Sequence, residues 1–209
     1  MKQIGFLFDL DGTLVNSQPS VDRVWTAVSE EAGVPLSELG KYHGLPAITV
    51  WRELMPDAPE EVIQRYNAKV LELEIEEAYD VVAVPGAHEL LEELNSREIP
   101  WTIVTSGVKS LATARTKFAG INLPEHAVTF DQVTQGKPFP EPFILGAKRI
   151  GLDPSLTWAV EDAPGGIRSA KLAGCTVCSV ATTNVKEDLH EADHHLENVL
   201  DLLTIAGIR

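Results

Sequence analysis

From Gly86 onward, short apolar runs rich in β-branched residues alternate with segments of helical periodicity. The runs are "EIPWTIVTSG", "AGINLPEHAVTF", "LTWAVEDAPGG" and "GCTVCSVATTN", and each stops at a turn signal. Between them, "AHELLEELNSRE" gathers Leu90, Leu91 and Leu94 on one side. "VKSLATARTKFAG" gathers Leu111, Ala112, Arg115 and Phe118 before Gly120 stops it. "PEPFILGAKRIG" and "PGGIRSAKLAG" are further helical segments that finish in glycine. Strands alternating with helices predict right-handed crossovers, hence an α/β fold: a Rossmann-like parallel sheet with helices on both faces. Ile4 to Leu10 reads as its first strand.

Residues 16–84 break that rhythm. "SVDRVWTAVSEEAG" puts Val21, Val24, Trp25 and Val28 on one helical face. "DAPEEVIQRYNAKVLELEIEEAYD" opens with Asp57 as the expected N-cap and Glu60 three residues later, and Val62, Tyr66, Val70 and Leu73 follow at helical spacing. Glu72, Glu74, Glu76 and Glu77 read as a solvated face. The α/β pattern resumes at "VPGAH". The expected organisation is a catalytic core of residues 1–15 and 85–209, with a small helical domain, residues 16–84, inserted after the first strand. Its connections near Asn16 and Pro85 would be hinges.

Composition narrows the partners more than the fold. At 209 residues, 44% hydrophobic and 23% charged, the chain can bury a core without staples. A formal net charge of -14 argues against nucleic acid and against anionic membrane surfaces. No apolar stretch approaches the roughly 18–20 residues of a membrane helix. The run after Met1 to Gly5 is broken by Asp9 and Asp11, so no secretory leader is expected. Cys175 and Cys178 are too few for a disulfide scaffold. "CTVC" has redox-motif spacing on paper, yet "CTVCSV" reads as a buried strand whose alternation sends the cysteines to opposite faces. The expectation is a cytoplasmic monomer acting on a small molecule, with no nucleic-acid or membrane partner.

In an open parallel sheet, ligands bind beyond the carboxyl ends of the strands. "FLFDLDGTLV" puts Asp9 and Asp11 there, "VTSG" puts Thr105, Ser106 and Gly107 there, and "EDAPGG" puts Glu161 and Asp162 there. Lys137, in "QGKPFPEPF", comes from a loop before a helix. Two like charges about 4 Å apart repel by roughly 4 kcal/mol at an effective dielectric of about 20. Four carboxylates at one edge therefore need a cation, or must protonate. Oxygen donors beside a lysine suit Mg²⁺, which prefers carboxylates, water and substrate phosphate, whereas zinc would call for His and Cys. One acid held against the metal stays ionised and can attack phosphorus. The other can trade a proton with the leaving oxygen and then with water. Thr105 and backbone N–H groups near Ser106 would hold the phosphoryl oxygens, with Lys137 neutralising them. Phosphate monoester hydrolysis demands an acceleration of up to about 10²¹, roughly 28 kcal/mol, so these groups must act together. Each piece alone has a plainer reading: "DLDG" is also a strand end with a tight turn, "VTSG" a common turn, "EDAPGG" a helix cap. Their order on successive strands carries the specificity.

Taken in that order, the stretches resemble the haloacid dehalogenase superfamily of aspartate-nucleophile phosphotransferases. "DLDGT", "VTSG", Lys137 in "GKP" and "EDAPGG" are similar to its first to fourth motifs, and the resemblance covers essentially the whole chain. It implies Asp9 as nucleophile, Asp11 as general acid/base, and Thr105 and Lys137 on the transferring phosphoryl group. It also implies Mg²⁺ held by Asp9, the backbone carbonyl of Asp11 and Asp162, with Glu161 close behind. Thr13, Ser106 and Gly107 would lie on the substrate side. The helical insert resembles the family's mobile cap, which closes on the core and excludes water.

Within the family, "EIPWTIVTSG" and "GKPFPEP" look most like sugar-phosphate phosphatases of the 2-deoxyglucose-6-phosphatase type. True dehalogenases usually lack the second Asp of the first motif, so Asp11 argues against that branch. The implied activity is hydrolysis of small sugar or polyol phosphate monoesters. The alternatives are a phosphoglucomutase of the same superfamily and a non-catalytic binding or regulatory protein. Substrate choice falls largely to the cap, where His43 in "KYHGLPAIT" either reaches the site or is idle. Lys109 either touches substrate or is a solvated residue at a helix start. Glu141 either meets a sugar hydroxyl or favours a helix N-terminus. His190, His194 and His195, in the acidic segment "KEDLHEADHHLE", read as surface charge or a metal site.

Overall fold

The structure, a computed structural model, describes residues 4–35 and 45–209. The chain enters through β1 (Gly5–Phe8) and β2 (Val15–Asn16), then runs through α1 (Gln18–Ala32), α2 (Ala47–Leu54) and α3 (Glu60–Glu76). It returns through β3 (Val82–Ala83), α4 (Ala87–Ser96), β4 (Trp101–Ile103), α5 (Lys109–Phe118) and α6 (Glu141–Arg149). It ends with β5 (Thr157–Glu161), α7 (Pro164–Ala173), β6 (Thr176–Val180), β7 (His194–Leu196) and α8 (Asp201–Ile205).

The main sheet has five strands in the order β4-β1-β5-β6-β7, all parallel. Phe6 and Phe8 of β1 belong to one apolar cluster and Leu7 to the other, so both faces of the strand are covered. That double burial is why the run is apolar without alternation. Cys178 and Cys175 fall in these same two clusters, free and buried, on opposite faces as the alternation predicts. The register sets Phe8 beside Ile103 and Val160, and Val160 beside Cys178. The residues that follow β1, β4, β5 and β6 therefore leave the sheet along one edge.

A third apolar cluster lies wholly within α1–α3. Trp51 stacks between Trp25, centroids 5.2 Å apart, and Tyr66, 5.3 Å apart. Val24, Val28, Ile63 and Val70 complete it. This helical layer meets the core through the antiparallel β2–β3 pair, Val15 opposite Ala83 and Asn16 opposite Val82.

Three readings of the pattern are corrected. The expected strand ending at "AVTF" is a single bridge, Val104 with Val128, because the chain turns at once into the short 3₁₀ helix Phe130–Gln132. The acidic C-terminal segment contributes the edge strand β7. There His194 stacks on Trp158, and His195 Nδ1 lies 2.7 Å from Ser179 Oγ, so these rings brace the sheet. Asp57 does not cap α3, which starts at Glu60 after Pro59, whose carbonyl takes the Val62 and Ile63 N–H groups. Among the described residues, no helix is long and apolar enough to cross a membrane.

Candidate active site

Lys137 is the hub of the sheet edge. Its Nζ donates to Asp9 Oδ1 at 2.6 Å and to Glu161 Oε1 at 2.5 Å, and it stands 5.2 Å from the centre of the Phe143 ring. All three charged groups are buried. Burial alone would lower the Lys137 ammonium, but the carboxylates of Asp9 and Glu161 reverse this and hold it above its ordinary value. Glu161 Oε2 also accepts from the backbone N–H groups of Asp162 at 3.1 Å and Ala163 at 3.2 Å. The second glycine of "EDAPGG" is a steric requirement: a Cβ on Gly166 would sit 1.7 Å from Glu161 Oε1. Gly12 is required twice over, by φ +84 and because a Cβ there would lie 2.0 Å from Asp162 Oδ2.

Asp9, Glu161 and Asp162 each bring a carboxylate oxygen within 4.8 Å of the other two. Burial raises the Asp9 carboxyl well above the usual carboxylate range, against the pull of Lys137. Burial pushes Asp162 up to about 8, with the Glu161 charge adding to it and the Thr183 hydroxyl opposing it. Carboxylates crowded out of water with one ammonium between them fit a hard divalent cation, which takes oxygen donors only. The two oxygens of Glu161 are already engaged, whereas Asp9 and Asp162 each keep one oxygen outside these bonds.

Asp11 faces the other way. Its Oδ1 accepts from Ser17 Oγ at 2.7 Å and its Oδ2 from Arg115 Nη1 at 2.7 Å. Arg115 Nη2 lies 3.2 Å from Glu74 Oε1, which also takes the Trp25 indole N–H at 3.2 Å. A buried chain of polar groups thus runs from the sheet edge on α5 to α1 and α3. It borders a cavity of about 450 Å³ between the edge and the helical layer.

Asp9, Asp11, Thr105, Ser106, Gly107 and Asp162 all line this cavity, as expected. Thr105 is buried, and its Oγ1 accepts from the Gly107 N–H at 3.0 Å. Lys137, its Nζ held by Asp9 and Glu161, does not line the cavity, and three further expected substrate contacts do not reach it either. Thr13 is fully buried beneath the turn and does not line the cavity. Lys109 is an exposed first residue of α5, with its backbone N–H held by Asp131 Oδ1 at 3.0 Å. Glu141 opens α6 and accepts from the backbone of Thr134 and Gln135 at 2.9 and 2.8 Å, bracing the loop that delivers Lys137. His43 lies outside the described residues.

Four polar groups that line the cavity were not expected there: Arg115, Glu74, Trp25 and Thr183. Glu74 is buried, not part of a solvated face, because Tyr66, Val70 and Glu74 share the buried stripe of α3. Arg115, four residues after Leu111, occupies the buried stripe of α5 in the same way. Thr183 follows β6 in "ATTN", at the edge where ligands gather.

A parallel α/β core with a lysine among buried carboxylates at its ligand-binding edge defines a class of phosphoryl-handling hydrolases. A family model of haloacid dehalogenase-like hydrolases matches residues 6–180, and the chain belongs to that family. Hexitol phosphatase A of Escherichia coli (strain K12) is 42% identical over 203 residues, 95% of this chain and 94% of the relative. 2-Deoxyglucose-6-phosphate phosphatase 1 of Saccharomyces cerevisiae is 32% identical over 206 residues, 89% of this chain and 83% of the relative. Among solved structures, a hydrolase from Pseudomonas syringae superposes with a TM-score of 0.90 at 27% identity, covering 99% of each chain.

Proposed function

We propose that this protein is a Mg²⁺-dependent phosphatase of small sugar or polyol phosphate monoesters that works through a phosphoryl group carried on Asp9. The observation that carries this reading is the meeting of Asp9, Lys137, Glu161 and Asp162 at one sheet edge, where Asp9 and Asp162 line a cavity that also holds Asp11. The names of the hexitol and 2-deoxyglucose-6-phosphate phosphatases support the substrate class. They favour hydrolysis over the mutase alternative.

Asp9 is the nucleophile: its carboxylate oxygen bonds to phosphorus as the ester oxygen departs. Asp11 gives that oxygen its proton, then takes one from a water whose oxygen attacks phosphorus and frees inorganic phosphate from Asp9. Lys137 balances charge on the phosphoryl oxygens, and Thr105 with the backbone N–H of Ser106 binds them. Asp9, Asp162 and the Asp11 carbonyl would hold Mg²⁺, which when bound offsets negative charge on the phosphoryl group. Glu161 fixes Lys137. Residues 16–84 act as the cap, closing the cavity against water through movement at the β2–β3 connection.

The test is phosphate release across a panel of phosphorylated sugars, polyols and nucleotides. Turnover of sugar or polyol phosphates should stop with EDTA, return with Mg²⁺, and be abolished by Asp9→Asn in a folded protein. Metal-independent turnover, or an active Asp9→Asn variant, would overturn the assignment.

A further inference from the structure

Asp11 takes no bond from Lys137. Both its oxygens are engaged elsewhere: Oδ1 accepts from Ser17 Oγ and Oδ2 from Arg115 Nη1, each at 2.7 Å. The Arg115 side chain is 5% exposed, against 27% for that of Asp11, which lines the cavity. The pair therefore has a covered end and an open end, with the reacting acid at the open one.

The covered end is fixed in place. Nη2 of Arg115 lies 3.2 Å from Glu74 Oε1, and Glu74 is itself buried on α3 and held by the Trp25 indole N–H. A guanidinium buried this deeply costs stability unless it is paired. Glu74 alone would pair it and join α5 to α3, yet the shorter contact goes to Asp11.

The two groups that hold Asp11 differ in chemistry. A guanidinium only donates, so Oδ2 stays an acceptor throughout the reaction. A hydroxyl donates or accepts, so Ser17 tolerates a proton on Oδ1. Oδ1 is thus the oxygen that trades the proton. As the bond from phosphorus to the ester oxygen breaks, its electron pair stays on that oxygen, which takes the Oδ1 proton and leaves Asp11 a carboxylate.

We infer that Arg115 is a positioning residue for Asp11, pinning Oδ2 from the covered side so that Oδ1 is presented for proton transfer to the leaving oxygen. This rests on the phosphatase reading and deepens it, with Arg115 acting through Asp11 and not on the substrate.

The experiment compares kcat/KM of the wild type, Arg115→Met and Asp11→Asn on a hexitol phosphate and on p-nitrophenyl phosphate. A sugar alkoxide leaves poorly without a proton, whereas p-nitrophenolate leaves well without one. Lost acid catalysis therefore falls on the first ester, and general damage falls on both. The ratio kcat/KM runs only as far as departure of the leaving group, so later hydrolysis at Asp9 does not enter. Asp11→Asn should lose about 100- to 10,000-fold on the hexitol phosphate, the scale of general acid catalysis. Arg115→Met should lose about 100-fold there, the scale of a misplacement of about 1 Å. Both should lose at least about tenfold less on the aryl ester. If Arg115→Met fails to fold, judged by its thermal midpoint, the double variant Arg115→Met, Glu74→Gln carries the test with the same unequal loss. It buries no lone carboxylate on α3 and keeps an acceptor for Trp25. Equal losses for the Arg115 variant beside unequal losses for Asp11→Asn overturn the positioning role and leave the phosphatase reading in place, as does an Arg115 variant with wild-type kcat/KM. Equal losses for Asp11→Asn overturn its acid role and the inference with it. A wild type that cleaves neither ester overturns the phosphatase reading as well.

Discussion

Lys137 Nζ lies 2.6 Å from Asp9 Oδ1, although the two residues are 128 positions apart in the chain. The same ammonium meets Glu161, so one proton-rich group holds together two strand ends that would otherwise repel. Replacing it strands two buried carboxylates without their partner. Lys137→Met should cost about 3–5 kcal/mol of stability, the scale for breaking a buried ion pair from one side. It should also remove turnover. Urea unfolding and phosphate release measure the two effects, and a variant as stable as the wild type would contradict the buried-pair geometry.

Asp162 makes stability depend on pH in an unusual direction. Its native carboxyl keeps its proton up to about 8, against 3.8 for an ordinary Asp. Between those values the native state binds more protons than the unfolded chain, so this contribution is complete below the lower value and is lost as pH rises through the upper one. In EDTA, the wild type should therefore lose stability relative to Asp162→Asn between about pH 5 and about pH 9, by on the order of several kcal/mol. Added Mg²⁺ should flatten the difference, because a bound cation replaces the proton. Urea midpoints for both proteins across that range, with and without metal, read this directly. A difference independent of pH would show that Asp162 is ionised throughout.

Much of this site was legible because parallel strands buried on both faces write themselves as unbroken apolar runs. "FLF", "WTIV", "TWAVE" and "TVCSV" each end in the polar residues that the sheet then lines up. Val128 misled because a β-rich run says nothing about how long a partner stays beside it, and here the pairing lasts one residue. β7 was hidden by its charge, since an edge strand needs only one covered flank. Arg115 and Glu74 were illegible as a pair because their meeting is tertiary, across α5 and α3. Their positions on the buried stripes of two amphipathic helices were the available signal. A charged residue at such a position has to find a partner.

Gly166 tests how closely Glu161 is fitted. A methyl there would occupy the space of the Glu161 carboxylate, 1.7 Å from Oε1. Neither the helix backbone of α7 nor a side chain already bonded to Lys137 and two N–H groups can yield easily. Gly166→Ala should lower kcat/KM by about 100-fold or more through the displaced lysine, since a misplacement of about 1 Å is enough for that. It should destabilise the fold by about 1–3 kcal/mol. The corresponding change at Gly165, whose Cβ would meet the Leu45 side chain at 3.1 Å, is the control and should be far milder.

Trp51 ties the helical layer to the chemistry through its neighbours. It is fully buried and stacked between Trp25 and Tyr66. Trp25 in turn donates to Glu74, which faces Arg115 and, beyond it, Asp11. Trp51→Ala should cost about 3–5 kcal/mol, because the cavity opens in the middle of an aromatic stack that helices this short cannot close by collapse. The sheet has its own apolar clusters, in which none of these three aromatic residues takes part. The loss should therefore fall on α1–α3 first. Hydrogen exchange should speed up at the amides of α1, α2 and α3, while those of β1 and β5 keep their protection. Turnover of a sugar phosphate should fall with it, because α3 no longer holds Glu74 against Arg115, the partner of Asp11. Uniform acceleration of exchange through the sheet would mean instead that the helical layer and the core unfold as one cooperative unit.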